Sequence, residues 1–243
     1  MNISEIKIIL VEPAGPLNVG SIARVMKNFA LKQLVLVNPQ CDYLGEEAKM
    51  MAVHAKDVLE SAVSVDTLPQ ALQGCKRAIA TTARDRDFHS SLQSPREVLP
   101  WLLEAEAQPS ALIFGREDRG LSNEELNYAQ KFMRIPTDAR YASLNLASAV
   151  AISCYELAQT QPNPVETDAV NNELATLEVV EGYYEQLESL LLSIEYLYPH
   201  TAASRMEKFR QLYNRAQLKT SEVAMLRGIL RQMQWALTNP GKL

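Results

Sequence analysis

The chain has 243 residues, 47% of them hydrophobic, and a formal net charge of −5, which supports one large core or a core with an appendage and excludes a disordered polyelectrolyte. Cys41, Cys75 and Cys154 are odd in number and far apart, and His54, His89 and His200 stand alone; neither a disulfide framework nor a metal clamp is expected, and a reducing cytoplasm is the natural setting. Met1–Val11 lacks the basic start and long apolar run of a signal peptide, and no stretch is long enough to cross a bilayer, so a cytoplasmic protein without a membrane partner is expected.

The first two-thirds alternates strand and helix signals. Ile6–Val11 is a compact apolar run that predicts a buried strand, and Val19–Phe29 places Val19, Ile22, Ala23, Met26 and Phe29 along one helical side. Leu34–Val37 predicts a second strand, Glu46–Ala55 a helix and Leu68–Leu72 a short helix stopped by Gly74. Ala78–Thr82 predicts the next strand. Ser94-Pro95-Arg96-Glu97 carries a cap, a first-turn proline and the closing acid of a capping box. Ala111–Phe114 predicts a strand, Ser122-Asn123-Glu124-Glu125 a second capping box, Phe132–Ile135 a strand, and Leu144–Leu157 a long apolar helix. Such alternation predicts an α/β fold with a mainly parallel sheet and helices on both faces.

Gln159–Pro164 (QTQPNP) reads as a linker, which divides the chain into a domain over 1–160, a linker at 161–165 and an all-helical extension over 166–243. Leu177, Val180, Tyr184, Leu187, Leu191, Ile194 and Tyr198 recur at steps of three and four, an apolar seam down one helix. Further helices are expected over Arg205–Arg215 and from a Ser221 cap to about Leu237. Charge is uneven here. Gln161–Glu195 holds eight acids and no Lys or Arg, whereas eight bases face two acids from Tyr196 onward. Blocks of this kind form solvated helix faces, and the basic block, with Arg205, Lys208, Arg210, Arg215 and Arg227, is also where RNA would be sought.

Three loops stand out as candidate sites. Glu12 to Arg24 runs from a strand through a Gly/Pro loop into a helix, a setting in which free N–H groups and the helix dipole favour anions. Its Gly15–Ser21 spacing resembles a P-loop but lacks the lysine, which argues against a nucleoside triphosphatase. Arg24 reads either as a surface salt bridge or as a phosphate grip. Ile113 to Ser122 follows a buried strand with two glycines and four consecutive charges, either a self-neutralising turn or a ligand loop at a strand end. Ile135 to Ala147 leads into the apolar helix, with Ser143 as its natural cap; Asn145, one place past Leu144, is then hard to explain unless it is bonded. Ala80-Thr81-Thr82-Ala83-Arg84, small residues at a further strand end, leaves room for a planar ligand.

Taken together, Asn18, Gly20, Ser21 and Arg24, then Phe114, Gly115, Glu117, Gly120 and Leu121, then Ser143, Leu144, Asn145, Leu146 and Ala147 resemble the TrmH/TrmJ-type branch of the SPOUT RNA methyltransferases. The tail, with His200, Met206-Glu207-Lys208-Phe209-Arg210, Arg215-Ala216 and Leu226-Arg227-Gly228-Ile229-Leu230, is similar to the helical extension of the TrmJ subgroup. The resemblance implies a C-terminal trefoil knot in the α/β domain, an exception to the usual unknotted rule. It further implies a homodimer with the active site at its interface and no metal. S-adenosyl-L-methionine would be cradled by Thr81, Thr82, Ala83, Gly115, Ile135, Ala142, Ser143 and Leu144. The reaction implied is 2′-O-methylation of a tRNA ribose, at nucleotide 32 of the anticodon loop, with Arg24, Asn18, Glu117, Ser143 and Asn145 as the catalytic set. Ribosomal RNA as substrate, and a knotted RNA-binding protein without catalysis, are the competing expectations.

Overall fold

In a computed structural model that describes residues 3–83, 92–104, 107–160 and 174–239, the chain folds as two compact units, Met1–Glu166 and Thr167–Leu243. The linker expected at 161–165, with Arg84 and Lys242, lies outside the described residues. The first unit is built on strands β1 (Ile6–Val11), β2 (Gln33–Val37), β3 (Val63–Val65), β4 (Arg77–Thr81), β5 (Ser110–Phe114) and β6 (Lys131–Met133). They lie in the order β3-β2-β1-β5-β4-β6, and every pairing is parallel. On β1, Ile6, Ile8 and Leu10 face one way and Ile9 and Val11 the other, and all five are at most 3% exposed. A strand buried on both faces needs helices on both faces, as the continuous apolar run predicts.

Seven helices are described in this unit: α1 (Pro16–Asn28), α2 (Glu46–Ala52), α3 (Lys56–Glu60), α4 (Leu68–Leu72), α5 (Pro95–Val98), α6 (Asn123–Leu126) and α7 (Leu146–Gln159). Val19, Ile22, Ala23 and Met26 of α1 join Ile8 and Leu10 of β1 and Val150, Cys154 and Leu157 of α7 in one buried cluster. Pro16 supplies the first helical position of α1, so the helix begins one turn before the predicted Val19. The helix expected over Glu46–Ala55 stops at Ala52, because Val53 takes φ +54°, and a separate helix, α3, begins at Lys56 beyond the expected stretch. Both capping boxes form as predicted. Ser94 N–H donates to Glu97 at 2.8 Å, and Ser122 N–H donates to Glu125 at 2.6 Å.

The second unit comprises α8 (Leu177–Ser193), α9 (Ala202–Ala216) and α10 (Thr220–Thr238). Val180, Tyr183, Tyr184, Leu187 and Leu190 pack with Leu197, Met206, Val223 and Leu230. The predicted seam is correct as far as Leu191, which packs on the same cluster, and then overruns the helix. The chain leaves α8 after Ser193 with Glu195 at φ +58°, so Leu197 is buried while Ile194 and Tyr198 are exposed. Helix α10 begins at Thr220, where Lys219 rather than Ser221 holds the cap position and its N–H donates to Glu222 at 2.8 Å.

Candidate functional site

All six strands run the same way, so the loops leaving β1, β5, β4 and β6 open at one edge of the sheet. Those four loops are the four signals read from the sequence. At this edge lies a cavity of about 340 Å³, lined by Thr81, Thr82 and Ala83 after β4, by 114–121, and by residues from Met133 to Ala149. Its lining includes every residue of the expected cradle: Thr81, Thr82, Ala83, Gly115, Ile135, Ala142, Ser143 and Leu144. Phe114, Leu121, Met133, Leu146 and Ala149 add an apolar wall. The size suits a small organic ligand, and the wall suits a flat ring whose polar edges meet backbone groups.

Side-chain bonds pin the walls. Thr81 Oγ1 donates to the carbonyl of Ile113 at 3.1 Å, tying the end of β4 to β5. Thr137 Oγ1 donates to the carbonyl of Ala142 at 3.0 Å, closing the loop that precedes α7. Gly115 is required by close approach, since a Cβ there would stand 2.2 Å from the Gly120 carbonyl carbon and 2.3 Å from Leu121 N. The charged run beyond it is largely self-neutralised. Arg119 pairs with both Glu12 and Glu125, which raises its pKa chiefly through the Glu125 bonds, and Arg116 pairs with Asp118.

Glu117 stands apart from that pairing. Its carboxylate accepts from Ala14 N–H at 3.0 Å, Gly15 N–H at 3.1 Å and Asn18 Nδ2 at 3.0 Å. Burial pushes its pKa up, but the bonds from Ala14, Asn18 and Gly15 outweigh it and hold the carboxyl below its ordinary value. The loop after β1 therefore has an anion already: the N–H groups expected to be free for a ligand phosphate hold this carboxylate at the head of α1. Gly15 fits the arrangement, because a Cβ there would crowd Asn18 Nδ2 and Glu117 Oε1 at 3.1 and 3.2 Å.

The bonding continues through Asn18, whose Oδ1 accepts from Asn145 Nδ2 at 3.0 Å. Asn145 Oδ1 in turn accepts from the N–H groups of Ala147 and Ser148 at 2.9 and 3.3 Å. Asn145 is thus the cap of α7, and the expectation that Ser143 caps it is corrected. An asparagine with extended backbone can satisfy two orphan helix donors with its oxygen and still donate from its nitrogen. One side chain from each of the three motifs is joined in a single network: Glu117, Asn18, Asn145.

Glu117 and Ser143 line the cavity, whereas Asn18 and Asn145 connect to it through Glu117. Arg24 is not in the lining. It is exposed on α1 and makes no hydrogen bond or ion pair among the described residues, which leaves the salt-bridge reading without support. Sequence reasoning missed Met133 and Ala149 in the apolar wall; a strand end and a helix interior carry no signal for a ligand. No three His, Cys, Asp or Glu side chains gather as a metal group among the described residues, and no helix there is long and apolar enough to cross a membrane.

In the second unit the five basic candidates divide. Arg210 pairs with Glu181 through both oxygens and lies 4.6 Å from the Tyr184 ring centre. Arg227 Nε donates to Gln186 at 2.8 Å, and Arg205 lies 5.8 Å from the Tyr196 ring centre. Lys208 and Arg215 are exposed and make no such bond among the described residues.

A parallel sheet with a backbone-walled cavity at its strand ends, and a network joining three motifs beside it, define a class on which sequence comparison agrees: residues 5–155 match the SpoU rRNA Methylase family, and the chain belongs to it. Residues 178–242 match a second description, the C-terminal domain of the tRNA methyltransferase TrmJ. Over its length the chain is similar to the tRNA (cytidine/uridine/adenosine-2′-O-)-methyltransferase TrmJ of Pseudomonas aeruginosa (strain UCBPP-PA14), 41% identical over 96% of this chain and 95% of that one. The tRNA (cytidine/uridine-2′-O-)-methyltransferase TrmJ of Pectobacterium atrosepticum is 38% identical over 96% and 98%. Among solved structures, TrmJ from Z. mobilis ZM4 superposes with a TM-score of 0.84 at 29% identity, over 94% of this chain and 98% of that one.

Proposed function

We propose that this chain methylates the 2′-hydroxyl of a tRNA ribose, at nucleotide 32 of the anticodon loop, with S-adenosyl-L-methionine held in the cavity at the strand ends. The observation that carries the reading is the network joining Glu117, Asn18 and Asn145 beside that cavity. When bound, the cofactor supplies a methyl group on a sulfonium centre. The chain's part is to orient a ribose hydroxyl in line with that methyl and to stabilise the oxyanion that forms.

Glu117 is a scaffold rather than the base, because three N–H donors hold its carboxyl below the ordinary range and make it a weak proton acceptor. Its bond to Asn18 and the Asn18–Asn145 bond set the positions of the loop after β1 and the head of α7. Arg24 serves as a cation and fork of N–H donors rather than as a base: it grips the adjacent phosphate and stabilises the developing alkoxide. A phosphate oxygen or a neighbouring side chain takes the proton. Arg24 lies outside the cavity of its own chain, which supports a homodimer in which the site is completed at the interface. The 1–160 domain would thread the trefoil knot of its family, and the 166–243 extension would clamp tRNA in the cytoplasm.

Relatives named for tRNA, and the match of residues 178–242 to a tRNA enzyme's C-terminal domain, favour tRNA over ribosomal RNA. Incubation with methyl-labelled cofactor and total RNA, followed by mapping of the methylated nucleotide, tests this. Label is expected in tRNA at ribose 32; label confined to ribosomal RNA, or none, rejects the reading.

A further inference from the structure

A second hollow, of about 260 Å³, lies where α10 packs on α8, lined by Gln186, Leu230, Arg231, Gln234, Trp235 and Thr238. It falls below the roughly 300–1,000 Å³ usual for drug-sized ligands, so it suits a single ring system. Leu230 is buried, while Trp235 is 42% exposed and presents part of its indole to solvent. The backbone at that residue is held in place. Its carbonyl accepts from Thr238 Oγ1 at 3.0 Å and from Asn239 Nδ2 at 2.9 Å, which closes the last turn of α10.

Gln186 is oriented as well. Arg227 Nε is 2.8 Å from Gln186 Oε1, and a guanidinium can only donate, so the amide oxygen must face it. The amide nitrogen is then the end left to donate. Arg231 is exposed and makes no hydrogen bond or ion pair among the described residues, and no carboxylate lines the hollow. A π-face, a fixed amide donor and an unpaired cation together match a base, its polar edge and its phosphate.

We propose that this hollow is a nucleobase site. An unstacked base of an RNA strand stacks on Trp235 and accepts a hydrogen bond from Gln186, while Arg231 meets the adjoining phosphate. The proposal rests on the tRNA reading and names what the tail takes from that substrate: a nucleotide turned out of its stack. A protein partner fits a different face of α10. Met225, Ile229, Met233 and Leu237, four residues apart and each about half exposed, form an uncharged stripe away from the Arg231–Trp235 face.

Tryptophan emission of the full chain, titrated with tRNA and with a short single-stranded RNA of mixed sequence, tests the site. Trp101 is buried beneath Arg77 and Lys131, so quenching reports Trp235. Both RNAs are expected to quench, and the quench should vanish in Trp235→Phe. Trp235→Ala should bind tRNA about 5- to 100-fold more weakly, with Trp235→Phe within a few-fold of the parent. Unquenched emission with unchanged affinity of Trp235→Ala overturns the site and leaves the methyltransferase reading intact wherever tRNA is still methylated. Quenching by the short RNA in a chain that methylates no RNA supports the site and rejects that reading. A loss in Trp235→Ala that follows a lower melting temperature, or a changed oligomeric state at unchanged RNA affinity, also overturns it.

Discussion

The two units use polar side chains in opposite ways. In the first, a carboxylate and two asparagines are bonded to one another and to the heads of α1 and α7, so that three loops share one geometry. In the second, cations are either engaged by neighbouring helices, as Arg210 is by Glu181, or exposed without a bonded partner among the described residues, as Lys208 and Arg215 are. A network of short side chains fixes positions and contributes little long-range field. Isolated long cations contribute field and little position. The first unit uses its polar side chains to fix positions, and the second leaves some of its cations on the surface, where the proposed tRNA clamp would use them.

Arg24 departs from this division, as an exposed cation on the unit whose polar side chains otherwise fix positions. Arg24→Ala should lower kcat for tRNA methylation by roughly 10²–10³-fold, the usual cost of losing one transition-state donor. Cofactor affinity should stay within a few-fold, because Arg24 contributes nothing to the cavity lining. Calorimetric titration of the cofactor checks this, and a parallel loss of cofactor binding would reject the assigned role.

Glu117→Gln acts on the bonded network itself. An amide keeps its oxygen toward Gly15 N–H and Asn18 Nδ2 and turns an NH₂ group against Ala14 N–H, at a cost of about 1–3 kcal/mol in stability and roughly 10- to 100-fold in activity through misplacement of the loop. The substitution should also alter the acid limb of the stability curve. Hydrogen bonds from Ala14, Asn18 and Gly15 overcome burial and lower the carboxyl's pKa in the fold from 4.5. The folded state therefore binds this proton less tightly than the unfolded chain. Its stabilisation is complete above about pH 4.5 and is lost as pH falls through the folded value. Denaturant midpoints of parent and variant should converge on acidification through that range; a constant gap would assign the loss to packing alone.

Much of this was legible in the residues, for a definite reason. Strands buried on both faces, such as Ile6–Val11, and full capping boxes, such as Ser122 to Glu125, are local signals, and they stand where predicted. The three-residue edge strand Val63–Val65 was not read, because two of its residues are exposed and it has no apolar pattern. The break at Val53 was hidden because a positive φ there carries no glycine signal. Of the candidate site, the cradle residues that line the cavity were named through the family resemblance of the motifs, not through composition or periodicity. The bonds were not legible. That Asn145 caps α7 while reaching Asn18, across 127 positions, depends on β6 and β1 ending at the same edge of the sheet. In the tail, composition marked the basic residues but could not tell Arg210, held by Glu181, from Lys208, held by nothing described.

That distinction is the smallest of the expected effects and the most diagnostic of how the second unit works. Arg210→Ala removes a two-pronged ion pair and a cation over Tyr184, and leaves Glu181 without its partner. It should cost about 1–3 kcal/mol in the stability of the tail, seen as faster hydrogen exchange in α8 and α9. Arg210→Lys should recover only part of it, since an ammonium cannot reproduce the planar fork. Lys208→Ala should leave exchange unchanged and lower tRNA affinity only a few-fold at low salt, while reducing the dependence of log K on log salt by about one. Equal salt slopes in the two variants, with equal exchange, would erase the difference between structural and free cations on which this account of the tail depends. A shallower slope for Lys208→Ala alone would place the phosphate contact on the exposed face of α9 and leave Arg210 to the fold.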